Sequence, residues 1–306
     1  MTKGKPSNVP ASVRQRLLNL AQQTNQDFGL LLTKYSLERL LYRLSVSPHR
    51  DGFVLKGALL FDLWTAHPHR PTRDLDLLGH GDSSLEKYRR LFSEICEQTV
   101  EDDGLNFMAN TVAAERIKDD EDYEAVRVLL QARLGVARIS LQIDIGFGDV
   151  ITPAPIEVEY PTMLNFPAPR LRAYPRETVV AEKFEAMVKL GMANSRMKDF
   201  YDLWELSRRF DFDGSTLMAA IQATFQRRAT AFPRGTPLSL SPEFYDAPSK
   251  RTQWTAFIRK SGLQSETLGE LVANIKTFLL PIIVAIQNGE PFNLHWNAGG
   301  AWQQKQ

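Results

Sequence analysis

Residues 74–77 alternate acidic and apolar side chains, which is the pattern of a strand with one polar and one buried face. Leu75 and Leu77 would point into a core and fix the register, while Asp74 and Asp76 would share the opposite face. Two neighbouring carboxylates repel each other unless a cation neutralises them. Because Mg²⁺ prefers oxygen ligands and binds carboxylates together with substrate phosphates, the pattern predicts a metal site. Asp-x-Asp is common, so taken alone a solvated edge strand is the simpler interpretation.

A strand, a turn of small residues and a helix are predicted just before the acidic strand. Residues 53–55 form a short apolar run, residues 59–64 have helical composition, and Lys56, Gly57 and Ala58 lie between them. Small residues let backbone N–H groups approach a ligand closely, and a helix N-terminus carries partial positive charge suited to phosphate. The sequence therefore predicts a phosphate-binding turn beside the predicted metal site.

A third carboxylate lies on a predicted hairpin. Residues 126–145 contain two alternating strands around a turn at Gly135, and Asp144 falls on the polar face of the second strand. By itself this residue would be assigned to the protein surface. As a partner of Asp74 and Asp76 it would complete a three-carboxylate site of the kind that holds two metal ions.

Five segments, in this order along the chain, carry a resemblance to a known family: Lys56-Gly57-Ala58-Leu59-Leu60, Arg70-x-Thr72-x-Asp74-Leu75-Asp76, Leu141-x-Ile143-Asp144-Ile145, Glu182-Lys183-Phe184-Glu185-Ala186 and Ser195-Arg196-Met197-Lys198-Asp199-Phe200-Tyr201-Asp202-Leu203. Together they resemble the AbiEii family, the nucleotidyltransferase toxins of type IV toxin–antitoxin and abortive-infection systems. The matching residues extend from about 53 to 205, roughly half of the chain. Ala58 stands where members often carry a second glycine, and alanine is less permissive in φ.

The resemblance implies an α+β fold, with a polymerase-beta-like nucleotidyltransferase core that contains a small mixed sheet, followed by a mainly helical C-terminal domain. The core and its N-terminal helices are expected in residues 1–160. The helical domain, expected in residues 161–306, would complete the nucleotide cleft and could bind RNA. Six prolines between residues 153 and 175 end regular structure and mark the junction.

The resemblance also implies roles for individual residues. Asp74 and Asp76 would hold Mg²⁺ or Mn²⁺, and Asp144 matches a third acid that can assist deprotonation of the attacking hydroxyl. Lys183 and Asp199 match two further catalytic positions, although sequence assigns no chemical role to the aspartate. The residues expected to contact the NTP are Lys56, Gly57, Ala58, Arg70, Thr72, Lys183 and Arg196.

The downstream motif can also be interpreted from its residues alone. Residues 178–192 have helical composition, and Lys183 lies on a partly apolar flank of this helix. Its stem could extend to solvent, which is the usual explanation, or its charge could be matched in a phosphate-filled cleft, which we prefer. Asp199 and Asp202 are three apart and so share one helix face. Asp202 could equally be a structural partner of an arginine, and its role stays open.

Composition limits the remaining possibilities. The chain has 306 residues, is 43% hydrophobic and carries a net charge of +1, so any nucleic-acid contact needs a local basic patch. A single cysteine, Cys96, excludes an internal disulfide and a cysteine-based zinc site. We expect a cytoplasmic protein, because the N-terminus lacks an apolar signal segment. Residues 277–286 are apolar but too short to span a bilayer, and Pro281 interrupts them, so we expect a buried helix and no membrane contact.

Two further segments have a local interpretation. The acidic run at residues 119–122 is predicted to be a solvated loop before the hairpin. Residues 225–260 mix basic and aromatic side chains, which could bind RNA phosphates and unpaired bases or could be an ordinary helix core with solvated charges. We weigh these two interpretations equally. The residues concerned are Arg227, Arg228, Arg234, Lys250, Arg251, Arg259, Lys260, Phe232, Tyr245, Trp254 and Phe257.

Residues and resemblance together predict a metal-dependent nucleotidyltransferase toxin that transfers a nucleotide from an NTP to RNA. The expected acceptor is the 3′ end of tRNA, so that aminoacylation and growth would be blocked until a winged-helix, AbiEi-like antitoxin acts. Two alternatives stay open: a nucleotidyltransferase for small molecules of the antibiotic type, and a nucleotide-binding regulatory protein without transfer activity. The sequence does not select the NTP, the RNA or the oligomeric state.

Overall fold

The chain folds into two compact units in a computed structural model that describes residues 8–65, 69–120 and 123–305. The first unit extends to Gly148 and includes Ile156–Ala173, and the second contains Asp149–Pro155 and the chain from Tyr174 onward. A mixed sheet dominates the first unit and helices dominate the second, so the predicted α+β class is confirmed. The domain division predicted at residue 160 stays a prediction.

The first unit contains four helices and seven strands among the described residues. Its helices are α1 (Val9–Thr24), α2 (Phe28–Val46), α3 (Leu60–Trp64) and α4 (Leu85–Cys96). Its strands are β1 (Phe53–Lys56), β2 (Asp74–Gly79), β3 (Leu105–Asp120), β4 (Tyr123–Leu134), β5 (Ala137–Phe147), β6 (Ile156–Glu159) and β7 (Arg170–Ala173). Polar side chains begin the two N-terminal helices: Asn8 accepts a hydrogen bond from the Ala11 amide and Asp27 from the Leu30 amide.

The strands form one mixed sheet in the order β3-β4-β5-β2-β1-β7-β6. Strand β2 pairs in parallel with β5 and antiparallel with β1, so it lies in the middle of the sheet. The alternation within β2 works as predicted: Leu75 and Leu77 are buried in the core, while Asp74 and Asp76 remain partly exposed. The sheet therefore presents both acids of this strand on one face.

The predicted hairpin is confirmed, whereas the predicted acidic loop before it is wrong for the residues that the structure describes. Gly135, with φ of +60°, lies in the two-residue turn that joins β4 to β5. Asp119 and Asp120 belong to β3, an edge strand whose existence the sequence pattern did not predict. An edge strand tolerates charged side chains, so a run of acids does not exclude it. Glu121 and Asp122 lie outside the described residues.

A buried ionic network fastens α2 to the segment before β3. The Arg43 guanidinium lies 2.6 Å from the Asp103 carboxylate, and Arg39 lies 3.1 Å from the same group. Next to them, Glu38 accepts a hydrogen bond of 2.7 Å from the Met163 amide. Burial raises the pKa of Glu38 to about 7, against the opposing effects of the Met163 amide and Arg39.

We expect the substitution Glu38→Gln to remove part of the pH dependence of stability. The folded-state pKa of about 7 lies above the ordinary value of 4.5, so the folded protein holds this proton more tightly. Wild-type stability should therefore fall as pH rises from about 4.5 to 7, by about 3 kcal/mol from this group. Urea unfolding across that range measures the slope. Equal slopes in both proteins would contradict the assignment.

The second unit consists mainly of helices, with one small sheet. Its helices are α5 (Arg176–Leu190), α6 (Met197–Arg209), α7 (Gly214–Arg227), α8 (Pro242–Tyr245), α9 (Pro248–Ser261) and α10 (Leu268–Asn288). Its strands are β8 (Phe212–Asp213), β9 (Leu294–Trp296) and β10 (Trp302–Gln304), which pair in the order β10-β9-β8. Short 3₁₀ helices occur at Arg50–Gly52 in the first unit and at Gly191–Ala193 and Leu238–Leu240 in the second.

Helix α10 is longer than its apolar sequence run suggested. It has 21 residues with Pro281 inside, and within the described part of the chain it alone is long and apolar enough to cross a membrane. The expectation that this segment is too short is therefore wrong. Leu271, Ile275 and Phe278 are completely buried within the second unit, which accounts for the apolar composition as that of a core helix.

Candidate active site

One row of charged residues crosses the first-unit sheet. Strand pairing places Lys56 opposite Asp76, Asp76 opposite Asp144, and Asp144 opposite Arg127. Residues that lie directly opposite each other on neighbouring strands project from the same face of the sheet. In this row a cation stands at each end and two anions lie between them. The row is on the face opposite Leu75 and Leu77.

Three carboxylates converge on this face. Asp74, Asp76 and Asp144 each offer an oxygen, and these three oxygens lie within 4.8 Å of one another. All three residues are partly buried, so the cluster is not a freely solvated group of acids. Oxygen donors at this spacing fit a hard divalent cation such as Mg²⁺ or Mn²⁺. The structure thus brings together the three residues that the sequence predicted as metal ligands.

The turn after β1 requires a glycine. Gly57 has φ of +76°, and a Cβ atom there would lie 2.0 Å from the Oδ2 atom of Asp76. The turn therefore packs directly against a carboxylate of the cluster. Ala58, the next residue, is buried. The following helix, α3, has only five residues, which makes the predicted contribution of a helix dipole to phosphate binding small.

Polar side chains orient the acids of β2 and β5. Thr72 donates a hydrogen bond to Oδ1 of Asp74, and Gln142 donates one of 3.0 Å to Oδ2 of Asp144. Arg70, predicted to contact the nucleotide, is half-buried just before β2. The hydrogen bonds from Thr72 and Gln142 restrict the carboxylates of Asp74 and Asp144 before any ligand binds.

Arg127 is a member of the cluster that our sequence interpretation missed. Its Nε and Nη2 atoms each lie 2.8 Å from one oxygen of Asp144. This bidentate pair, with two parallel hydrogen bonds, is called the Arg127 fork below. The hydrogen bond to Asp144 raises the pKa of Arg127 above its ordinary value, although partial burial opposes this. The hairpin turn at Gly135 sets the register that pairs the two residues, so the predicted turn already contained the signal.

A second ionic cluster lies within the second unit. The Lys183 ammonium is 2.7 Å from Asp199 and 2.7 Å from Asp202, and both aspartates are almost completely buried. The Arg196 guanidinium is 2.8 Å from Asp199. Burial acts to raise the pKa of Asp199, but the charges of Lys183 and Arg196 outweigh it, so this pKa lies below its ordinary value. The motif residues Lys183, Arg196 and Asp199 are therefore brought together.

Asp202, like Asp199, forms an ion pair with Lys183. Lys183 bridges Asp199 on the first turn of α6 and Asp202 on the next, which explains the spacing of three residues. The ammonium group is therefore held by two carboxylates, and its side chain is only 14% exposed. The Lys183 side chain therefore does not extend into solvent, which is the usual explanation for a lysine on an apolar helix flank.

The basic segment 225–260 divides into residues with internal contacts and residues that stay exposed. Arg228 pairs with Asp149 and Glu185, and Lys250 is buried with its ammonium 2.7 Å from the Asn194 carbonyl. The ring of Trp254 is buried as well. The core interpretation therefore applies to these residues. Several basic side chains remain exposed, namely Arg227, Arg234, Arg251, Arg259 and Lys260.

Comparison with known families decides the assignment. The sequence profile described as "Nucleotidyl transferase AbiEii toxin, Type IV TA system" matches residues 39–275, which is more than half of the chain. The chain belongs to the AbiEii family. It is therefore a nucleotidyltransferase of this toxin family, as the sequence motifs predicted. The family description implies a nucleotide substrate and an antitoxin partner.

A solved structure shares the fold of this AbiEii chain. A crystal structure of a candidate nucleotidyltransferase from H. pylori matches 86% of this chain and 98% of its own, with a TM-score of 0.50 and 15% identity. A second, of JHP933 from Helicobacter pylori, matches 85% and 94%, with a TM-score of 0.49 and 15% identity. At this identity the first likeness shows the fold alone. No curated protein is significantly similar in sequence to this chain.

The close contact at Gly57 predicts that Gly57→Ala impairs the carboxylate cluster. The added methyl group must displace Asp76, and the left-handed backbone costs roughly 1–2 kcal/mol for alanine. We expect Mn²⁺ affinity, measured by isothermal titration calorimetry, to fall by about tenfold or more. Gly52→Ala is the matched control, since a Cβ at Gly52 meets no atom within 4 Å. Equal affinities for Mn²⁺ in both variants would refute this role of the turn.

The buried pairs of Lys183 predict a large stability effect. Lys183→Met leaves Asp199 and Asp202 without their shared cation, which we expect to lower the free energy of unfolding by about 3–5 kcal/mol. Lys198→Met, at an exposed position of α6, is the control and should change it by less than about 0.5 kcal/mol. Urea unfolding monitored by circular dichroism measures both. A Lys183 variant as stable as the control would show that the two pairs contribute little.

Proposed function

We propose that this AbiEii protein transfers a nucleotide from an NTP to an RNA acceptor in a reaction that requires a divalent cation. The observation that carries the proposal is the convergence of Asp74, Asp76 and Asp144 within 4.8 Å beside the Gly57 turn. Carboxylates gathered this closely repel one another, and a bound cation relieves that repulsion. Oxygen ligands alone, without histidine or cysteine, favour Mg²⁺ or Mn²⁺ over softer metals.

The proposed division of labour follows from the contacts of each residue. Bound to Asp74, Asp76 and Asp144, the divalent cation would neutralise the triphosphate and the charge that develops on it. Thr72 keeps Asp74 in position through its hydrogen bond. Asp144 would also assist deprotonation of the attacking acceptor hydroxyl as a ligand of that cation, because a hydroxyl bound to a divalent cation loses its proton to solvent more readily. Its geometry suits this task because Arg127 holds it rigidly.

The nucleotide would be bound by the predicted phosphate-contacting residues. In the first unit these are the backbone of Lys56, Gly57 and Ala58, with Arg70 and Thr72 just before β2. Because Gly57 has no side chain, backbone N–H groups of the turn can approach a phosphate closely. The assignment of Lys183, Arg196 and Asp199 to the same reaction rests on the family motifs and on their mutual ion pairs.

We further propose that the acceptor is the 3′ end of tRNA, with loss of aminoacylation and arrest of growth as consequences. Support comes from the toxin–antitoxin description of the family and from the basic side chains that stay exposed in residues 225–260. A winged-helix, AbiEi-like antitoxin would counter the activity. We propose a cytoplasmic location, since that is where an NTP and tRNA meet.

The direct test is incubation of the protein with α-labelled NTPs, Mg²⁺ and total tRNA. We expect label from at least one of the four nucleotides to enter RNA, and Asp76→Asn to lower the rate by about a hundredfold or more. Asp82→Asn is the matched control, because this exposed acid follows β2 but lies outside the cluster. Absence of labelled RNA with all four nucleotides would contradict the proposal.

The same assay separates the alternatives that the sequence left open. Label that appears in a small-molecule acceptor but not in RNA would indicate an enzyme of the antibiotic-modifying type. Tight NTP binding with no transfer to any acceptor would indicate a regulatory protein. Either result would overturn the assignment of RNA as acceptor while leaving the family membership intact.

A further inference from the structure

Arg127 places a positive charge inside a cluster that is proposed to bind cations. Its guanidinium makes two hydrogen bonds of 2.8 Å, one to each oxygen of Asp144. Arg127 is 30% exposed and Asp144 is 19% exposed, so the pair is only partly shielded from solvent. This arginine also lies close enough to Asp74 for an electrostatic interaction. It is therefore a neighbour of two of the three carboxylates.

The hydrogen bonds to Asp144 limit how this residue can bind a metal ion. An ionised carboxylate has about four lone-pair positions, two on each oxygen. Oδ2 accepts from both Arg127 and Gln142, so its two positions are occupied. Oδ1 accepts from Arg127 alone among the described residues, which leaves one position. As held in this structure, Asp144 can therefore give one bond to a cation, through Oδ1.

Charge adds a second effect. A divalent cation that approaches the carboxylates is attracted by three negative charges but repelled by the guanidinium of Arg127. The arginine thus makes the cluster less negative and lowers its affinity for cations. The same fork fixes the carboxylate plane of Asp144, which favours a defined geometry for catalysis. Arg127 therefore has two opposing effects: it lowers the affinity of the cluster for cations, and it improves the positioning of the Asp144 carboxylate.

We propose that Arg127 is a positioning residue of this site, which holds Asp144 as a single-oxygen ligand and weakens cation binding in exchange for a fixed carboxylate. The inference rests on the proposed metal-dependent transfer. It goes beyond that function because it assigns a role to a residue outside the family motifs quoted above.

Two substitutions separate the effect of the Arg127 charge from the effect of its two hydrogen bonds to Asp144. Arg127→Met removes both, and Arg127→Lys keeps the charge but cannot form the two-bond fork. We expect Arg127→Met to bind Mn²⁺ about tenfold more tightly than wild type and to transfer nucleotides about tenfold more slowly. Arg127→Lys should bind Mn²⁺ within about twofold of wild type, yet also show slower turnover at saturating Mn²⁺ and NTP.

Mn²⁺ binding is measured by isothermal titration calorimetry on the full chain, and turnover by the RNA-labelling assay. Arg133→Met is the matched control: it removes an exposed arginine from the same strand, about 20 Å along it, and should leave both quantities unchanged. Thermal melts of each variant establish that it is folded. A merely structural role for Arg127 would weaken metal binding and slow turnover together.

The outcomes distinguish failure of this inference from failure of the proposed function. Wild-type protein that binds no Mn²⁺ and labels no RNA would overturn the proposed function itself. Wild-type protein that does both, with folded Arg127→Met binding Mn²⁺ equally or more weakly, would overturn the inference alone. If Arg127→Met does not fold, the Arg127→Lys variant decides. Unchanged turnover in that variant would refute the positioning role.

Discussion

The parallel pairing of β2 with β5 is the constraint on which the candidate site depends. It brings Asp76 directly opposite Asp144, although the two residues are far apart in the sequence. The alternation within β2 then adds Asp74 on the same face, and its apolar residues lock the register from the core side. A shift of one residue would turn all of these carboxylates into the core, where an unpaired charge is very costly. The hydrophobic core and the acidic cluster therefore specify the same register.

In both units, clustered acidic side chains are paired with basic side chains of the same unit. In the first unit Lys56 and Arg127 lie on the same sheet face as the three carboxylates, so two positive charges face three negative ones, and the net negative charge accounts for the proposed affinity for cations. In the second unit Lys183 forms ion pairs with two buried carboxylates, Asp199 and Asp202. Arg196 forms a further ion pair with Asp199. A balanced buried cluster of this kind is sensitive to substitution, because removal of one charge leaves its partner unpaired in a low-dielectric environment. Local charge balance thus has different consequences in the two units.

The sequence predicts the local part of this arrangement well. A period of two fixes Asp74 and Asp76 on one face, and the turn at Gly135 fixes which strands form the hairpin. The same turn implies the pairing of Arg127 with Asp144. In the sequence, however, an arginine opposite an acid resembles an ordinary solvated pair. Strand β3 was missed because its charges resemble those of a loop. The pairing of β2 with β5 cannot be read from pattern alone, since it depends on tertiary packing. The sequence offers Asp144 as a third ligand only as one of two interpretations, and the family resemblance favours it.

Anomalous X-ray scattering from crystals soaked in Mn²⁺ tests the central claim most directly. The account predicts an anomalous peak among Asp74, Asp76 and Asp144, with Oδ1 as the coordinating atom of Asp144 and the Arg127 fork retained. An Asp76→Asn crystal soaked in parallel should show a weaker peak or none. A strong Mn²⁺ peak elsewhere, with the three carboxylates free of metal at saturating concentration, would contradict the account.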